Sequence, residues 1–111
     1  MVRGNQNMVS YTNGVIQDDS GKALGNVLSG IIRDGDKIGT GKTLGNVKQG
    51  LVRDSDGNVL FNVKKGIVRN GKALGGGMNL GKIGDYSISG MQSESADEIV
   101  ASYHFLVKKI I

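Results

Sequence analysis

The stretch that decides the fold reads LGNVKQGLVRD and spans residues 44–54. It is the clearest copy of a unit that recurs around five glycines spaced 16, 20, 16 and 15 residues apart: Gly14, Gly30, Gly50, Gly66 and Gly81. Around Gly50, apolar residues stand six and three positions before and one and two positions after, and a turn-forming Asp54 stands four after. The earliest copy begins with Met8, and in the last copy Lys82 replaces the first apolar residue after the glycine. Helical-hairpin repeats need about 34 residues, so this shorter period predicts one β-hairpin per repeat.

Turn-forming residues separate the copies. They open with a carboxylate or an amide at Asp18, Asp34, Asp54, Asn70 and Asp85. Residues 34–42 predict an extended tip, Asn70-Gly71 predicts a tight type I′ turn, and the glycine run at 75–77 fits a bulge. The repeated glycine then falls inside a strand-like stretch, where glycine often marks a bend. We predict that the five glycines are structural bends and that the hairpins radiate from a common hub.

The composition fits a single domain over residues 1–111, with the repeats at about 8–90 and a closing segment at about 95–111. There are 19 glycines and no proline. The chain has only two Phe, three Tyr and no Trp, so the core is expected to be aliphatic. The absence of cysteine excludes disulfides and thiolate metal sites. No apolar run approaches the roughly 20 residues of a membrane span. Residues 1–7 lack the apolar core of a signal peptide, so we expect a cytoplasmic protein unless a leader has been removed.

The C-terminal segment breaks the repeat and is the most apolar part of the chain. Ser95 and Glu98 form a capping-box pattern, which predicts a helix from about Ala96. A helix would place four apolar residues on one face: Ile99, Tyr103, Leu106 and Ile110. The Val, Ile, Tyr and Phe content also permits a strand after Tyr103. Because isolated hairpins are only marginally stable, this segment is expected to close the hub.

The predicted fold is therefore all-β, with five hairpin petals around an aliphatic hub that a short C-terminal helix or strand closes. The GKALG stretch at residues 21–25, the GKTLG stretch at residues 41–45, the five repeats and the apolar ending together resemble the bacterial five-fold β-flower proteins. The resemblance covers roughly residues 8 to 111. It implies five petals, and it implies no activity, cofactor or functional residue.

No catalytic, cofactor-binding or metal-binding residue is predicted. The turn acids could be interpreted as a calcium series, but calcium needs about six convergent oxygens and these residues open separate turns, so they are predicted to be turn formers. The glycines at 75–77 lack the Gly-Lys-Ser/Thr of a phosphate loop. His104, the single histidine, is predicted to be a packed residue. We predict that the protein is not an enzyme and needs no cofactor.

Three arginines share one repeat position, three residues after the glycine: Arg33, Arg53 and Arg69. With Lys22, Lys42 and Lys72 and a net charge of +4, they are candidate contacts for a polyanion. The competing interpretation is solvated charge that protects strand edges. Acids interleave with the bases and aromatic residues are scarce, so nucleic acid is disfavoured. The predicted function is a non-enzymatic structural or protein-interaction module, whose partner is another protein or a second copy. The alternative is a ligand-binding module for a carbohydrate or an anionic polymer.

Overall fold

Nine strands form one antiparallel sheet in which each strand pairs with the next. The computed structural model describes residues 9–91 and 94–111, so the predictions for Met8 and for residues 1–7 lie outside them. The all-β prediction is confirmed. The strands are β1 (Ser10–Thr12), β2 (Val15–Gln17), β3 (Ala23–Leu28), β4 (Ile31–Arg33), β5 (Thr43–Lys48), β6 (Leu51–Asp54), β7 (Val59–Lys64), β8 (Ile67–Arg69) and β9 (Asn79–Lys82).

Four of the repeated glycines are the second residue of a two-residue hairpin turn. The turns are Asn13-Gly14, Ser29-Gly30, Gln49-Gly50 and Lys65-Gly66, and φ is positive at both residues of each. At Gln49 and Gly50, for example, φ is 54° and 84°. Positive φ at both positions is the type I′ geometry, whose twist matches that of the flanking strands. The chain therefore reverses at these glycines, instead of bending inside a continuous strand.

Gly81 differs from the other four glycines. It lies within β9 with φ of 144°. It pairs with Val68 just as Gly45 pairs with Ile32, so its equivalent in the repeat is Gly45. Among the described residues the last repeat therefore contributes one strand, and the chain continues from β9 into a 3₁₀ turn (Ile83–Tyr86).

The connections between hairpins alternate between short and long, which gives a period of 36 residues from Gly14 to Gly50. The long connections are residues 34–42 and 70–78. In the first, the Asp34 amide donates to the Lys42 carbonyl at 3.0 Å and the Lys42 amide donates to Asp34 Oδ1 at 2.7 Å. Asn70 and Met78 repeat both bonds at 3.0 Å and 2.7 Å. The predicted tight turn at Asn70-Gly71 is therefore wrong, because the Asn70 side chain spans a nine-residue loop that includes the glycine run.

The short connections, residues 18–22 and 54–58, confirm the turn-former prediction. Asp54 Oδ1 accepts hydrogen bonds from the Asp56 and Asn58 amides at 2.9 Å and 3.0 Å. Asp18 Oδ1 accepts from the Ser20 and Lys22 amides in the same way. The Ser20 hydroxyl and then these amides lower the pKa of Asp18, since they stabilise the charged carboxylate. Each carboxylate is thus committed to its own turn.

One face of the sheet is buried. Its centre is a set of residues two positions after the turn glycines, all with no exposed surface: Ile16, Ile32, Val52 and Val68. Opposite them across the ladder stand Gly25, Gly45, Phe61 and Gly81. A bulge at the same place in each repeat leaves Leu24, Leu44, Leu60 and Leu80 without a ladder partner. The core is aliphatic as predicted, except for the fully buried Phe61.

The C-terminal segment covers this buried face. The helix α1 (Ala96–Ser102) begins where the sequence predicts and continues as a π-helical turn (Tyr103–Val107), so the structure favours the helix over the alternative of a strand after Tyr103. The predicted capping box is also wrong, because the Ser95 hydroxyl bonds the Asp97 and Glu98 carboxylates instead of a backbone amide. The fully buried apolar residues of α1 are Val100 and Ala101, and the predicted apolar face is only half-buried.

Glycines on the sheet make room for this segment. A methyl group added to Gly45 would meet the Phe105 ring, and one added to Gly25 would meet the Leu106 methyl groups. The segment is also tied to a hairpin turn, since the Gly50 amide donates to Asp97 Oδ2 at 2.9 Å. Because the contacts at Gly25 and Gly45 are closely packed, a single added methyl group would displace the closing segment. The two glycines therefore determine the position of this segment on the sheet.

Candidate interaction face

The face of the sheet opposite the core is organised in rows, and we call it the outer face. Alternate residues of a strand point to the same face, so the residues between the core positions belong here. The register connects Val15, Asn26 and Arg33 in the Asn26 row. It connects Leu28, Ile31, Asn46 and Arg53 in the Asn46 row. It connects Lys48, Leu51, Asn62 and Arg69 in the Asn62 row.

Asn26 binds the loop at residues 34–42. Its side chain has no exposed surface, and its Nδ2 donates to the Gly35 and Thr40 carbonyls at 3.1 Å and 3.0 Å. The Gly39 amide donates to Asn26 Oδ1 at 2.9 Å. The predicted extended tip is thus folded back over the Asn26 row. Buried polar groups need such partners, and here the loop main chain supplies them.

Asn62 does the same for the loop at residues 70–78. Its Nδ2 donates to the Arg69, Gly71 and Gly76 carbonyls at 3.3, 2.9 and 3.1 Å. The Gly75 amide donates to its Oδ1 at 3.0 Å.

Both long loops also share an apolar contact. In each loop, the residue before the glycine whose amide binds the asparagine is aliphatic, and it packs against the turn glycine of the preceding hairpin. Ile38 lies against Gly14, and Leu74 lies against Gly50.

Asn46 occupies the same repeat position and is unpartnered. It is half-buried, and its side-chain amide makes no hydrogen bond with any described residue. The connection that follows its hairpin, residues 54–58, is only five residues long and is closed on itself by Asp54. It cannot fold back over the Asn46 row as the nine-residue loops do over theirs.

The charged side chains contributed by these rows are all cationic. The structure places the predicted residues Arg33, Arg53 and Arg69 at the same position of three successive rows, on β4, β6 and β8. Neighbouring arginines are offset along the strands as well as across them, since Arg33 stands opposite Thr43 and Arg53 stands opposite Asn46 on β5. None of the three guanidinium groups has a hydrogen-bond or ion-pair partner in the part of the chain that the structure describes. Lys22, Lys42 and Lys72 lie in the connecting loops and not in the rows.

His104 is packed inside the closing segment, as predicted. It is 5% exposed, and its ring centroid lies 5.2 Å from that of Phe61 and 4.8 Å from that of Phe105. Its Nδ1 accepts a hydrogen bond from the Ile110 amide at 2.9 Å. Burial, and to a smaller extent Lys109, lowers the pKa of His104 to about 4. The ring is therefore neutral at physiological pH and serves packing.

Neither of two clefts lined by described residues brings together a catalytic set of side chains. One cleft of about 380 Å³ has a mainly aliphatic lining with two serines: Ile83, Gly84, Ser87, Ile88, Ser89 and Ile99. A second, of about 370 Å³, lies beside the closing segment and includes Asp54, His104 and Lys109. Asp54 and His104 already accept the hydrogen bonds described above. Among residues 9–91 and 94–111, no three His, Asp or Glu residues are placed to hold a metal ion.

Comparison with family models, with curated proteins and with solved structures gives no match for this chain. Within the described ranges, no helix has both the length and the apolar character needed to cross a membrane.

The asparagines were missed by the sequence analysis, although a signal for them exists. Leu-Gly-Asn-Val occurs at residues 24–27 and again at 44–47, and Leu-Phe-Asn-Val occurs at 60–63. Asparagine is depleted in strands, so its recurrence at one strand position in three repeats indicates a specific role.

Proposed function

We propose that this protein is a non-enzymatic interaction module that binds a partner protein on its outer face. The observation that carries the proposal is the unpartnered Asn46 beside the unpartnered Arg53 in a half-covered row. The opposite face of the sheet is occupied by the closing segment, so the outer face is the one available to a partner. We further propose that the hairpins are petals of a β-flower whose hub the closing segment completes.

The chemistry of the Asn46 row supports a protein as the partner. Leu28 is 43% exposed and stands in the same row as Ile31 and Arg53. Protein interfaces combine apolar contacts with arginine, which forms several directed hydrogen bonds and stacks on its neighbours. Aliphatic side chains next to guanidinium groups fit that composition.

Photo-crosslinking tests this proposal. A photoreactive amino acid is placed at Leu28 on the outer face and, in a control variant, at Ile111, which is 50% exposed on the closing segment. We expect a discrete adduct from position 28 in cells that produce the protein, and none of the same mass from position 111. No adduct at 28, or the same adducts at both positions, would overturn the proposal. An adduct with twice the mass of the chain would identify a second copy as the partner.

Binding of an anionic polymer is the second candidate. The observation that favours it is the segregation of charge, with Arg33, Arg53 and Arg69 in the rows and the turn acids in the loops. The probes are a thymidine oligonucleotide and dextran sulfate, each at low and high salt. Changing the three arginines to glutamine should remove salt-sensitive binding, whereas changing Lys22, Lys42 and Lys72 to glutamine should weaken it less. Equal weakening by both sets of substitutions would show that binding depends on net charge alone and not on the three arginines.

A further inference from the structure

We infer that Asn46 is a receptor for the main chain of a partner's loop, with the partner supplying in trans what the 34–42 and 70–78 loops supply in cis. The inference rests on the proposed function and names the chemistry that the outer face recognises. Asn26, Asn46 and Asn62 share the same strand position, and two of the three are occupied by polypeptide. The occupied copies therefore show what the third one fits.

The occupied copies specify the hydrogen bonds of the ligand. Each asparagine donates to at least two loop carbonyls and accepts one loop amide. That amide belongs to a glycine in both loops, Gly39 and Gly75, with φ of 81° and 80°. Left-handed φ strongly favours glycine, so a loop that binds Asn46 needs glycine at this position.

The same comparison specifies an apolar residue before that glycine. Ile38 precedes Gly39 and lies against Gly14, and Leu74 precedes Gly75 and lies against Gly50. The corresponding turn glycine for the Asn46 row is Gly30. There the atoms nearest to an added methyl group all belong to Val47, and no loop side chain takes the place of Ile38 or Leu74. Gly30 is already buried, so the glycine of the ligand is the requirement that this row keeps, and the residue before it is aliphatic by analogy with the two occupied loops.

Charge adds a third requirement. Arg53 pairs directly across from Asn46, and Lys48 flanks the row from the same strand. A carboxylate next to the aliphatic-glycine pair would form charge-assisted hydrogen bonds with the free guanidinium. The chain's own long loops are already bound by Asn26 and Asn62, so a second copy does not offer them. The occupant is an acidic, glycine-containing loop of a different protein.

The test uses a synthetic peptide with the sequence of residues 34–42 in which glutamate replaces both lysines, DGDEIGTGE, added to the full ¹⁵N-labelled chain. We expect a saturable shift of the Asn46 side-chain amide signals at millimolar peptide, since a linear peptide must lose conformational entropy on binding. The Asn46→Ala substitution should lower the affinity for the peptide at least tenfold. The control variant Asn58→Ala, which removes an exposed asparagine side chain of the 54–58 connection, should keep the binding. A peptide with valine in place of its sixth residue, glycine, should not bind.

An unchanged Asn46 signal at about 5 mM peptide, or equal binding by Asn46→Ala, would overturn the inference. Its failure is separable from that of the proposed function, because crosslinking from Leu28 does not involve the Asn46 amide. An adduct at position 28 together with a silent Asn46 would keep the interaction module and remove the loop receptor. A responding Asn46 without an adduct would keep the receptor chemistry and remove the proposed cellular role.

Discussion

Asn26 and Asn62 stand at the same repeat position as Asn46, yet the first two are fully buried and the third is half-buried. The strands that carry them have nearly the same sequence, so the strands do not explain the difference. The connection after the hairpin does: nine residues fold back over Asn26 and Asn62, and five residues cannot reach Asn46. The same side chain thus holds a loop in two repeats and has no hydrogen-bond partner among the described residues in the third, where the connection is shorter.

The largest expected effect comes from deleting each asparagine side chain. Asn62→Ala removes four part-buried hydrogen bonds that hold the 70–78 loop on the sheet, so it should lower the free energy of unfolding by about 2–4 kcal/mol. Asn26→Ala should cost about the same. Asn46→Ala should stay within about 0.5 kcal/mol of the native chain. Chemical denaturation measures all three, and equal losses would contradict the distinction between the copies.

Lowering the pH should destabilise the region where His104 packs against β7. His104 packs against Phe61, the residue before Asn62, and burial lowers its pKa from 6.5 to about 4. The unfolded chain binds a proton below about pH 6.5, whereas the folded chain does so only near pH 4. The free energy of unfolding should therefore fall as the pH drops through this window, by up to about 3 kcal/mol, and then level off for this group.

The variant His104→Asn isolates this contribution. Turn acids such as Asp18 and Asp54, whose pKa values are also lowered, remain in both chains and cancel in the difference. Hydrogen exchange should show the acid-induced loss of protection first near Phe61. A native chain whose stability changes with pH no more than that of the variant would show that His104 is not held neutral by the fold.

A smaller effect is expected from converting the Asn26 repeat into the Asn46 type. Replacing residues 34–42 by Asp-Ser-Asp-Gly-Asn should cost about 1–2 kcal/mol, because loop hydrogen bonds are lost while Asn26 gains water as a partner. The chain should still fold, and the Asn26 side-chain amide should exchange with solvent as that of Asn46 does. Failure to fold would mean that the loop at 34–42 is part of the core and not a cover over it.

Local features of this fold could be predicted from the sequence. The repeat predicted the all-β sheet, the turn acids predicted the loop ends, and the Ser95 and Glu98 pattern predicted a helix from Ala96, although the capping box itself does not form. The register was missed because each repeated glycine was placed inside a strand, although Asn13-Gly14 is itself a type I′ turn sequence. The alternating spacings of 16 and 20 residues already carried the 36-residue period.

The remaining features depend on contacts between distant residues. Nothing local to Asn26 indicates that its amide reaches Thr40, 14 residues away. Nothing local to Gly45 indicates that Phe105 packs on it. The missing hydrogen bonds of Asn46 can be recognised only by comparison with Asn26 and Asn62, whose side chains bind loops in the structure.

Transplanting the long loop tests the central claim most directly. Residues 54–58 are replaced by the nine-residue sequence of 34–42, and the exchange of the Asn46 side-chain amide with solvent is measured by NMR. If loop length alone leaves Asn46 free, the transplanted loop will fold over it, and its exchange will slow to the rate of Asn26. A folded chain in which the Asn46 amide exchanges as fast as in the native protein would contradict the account.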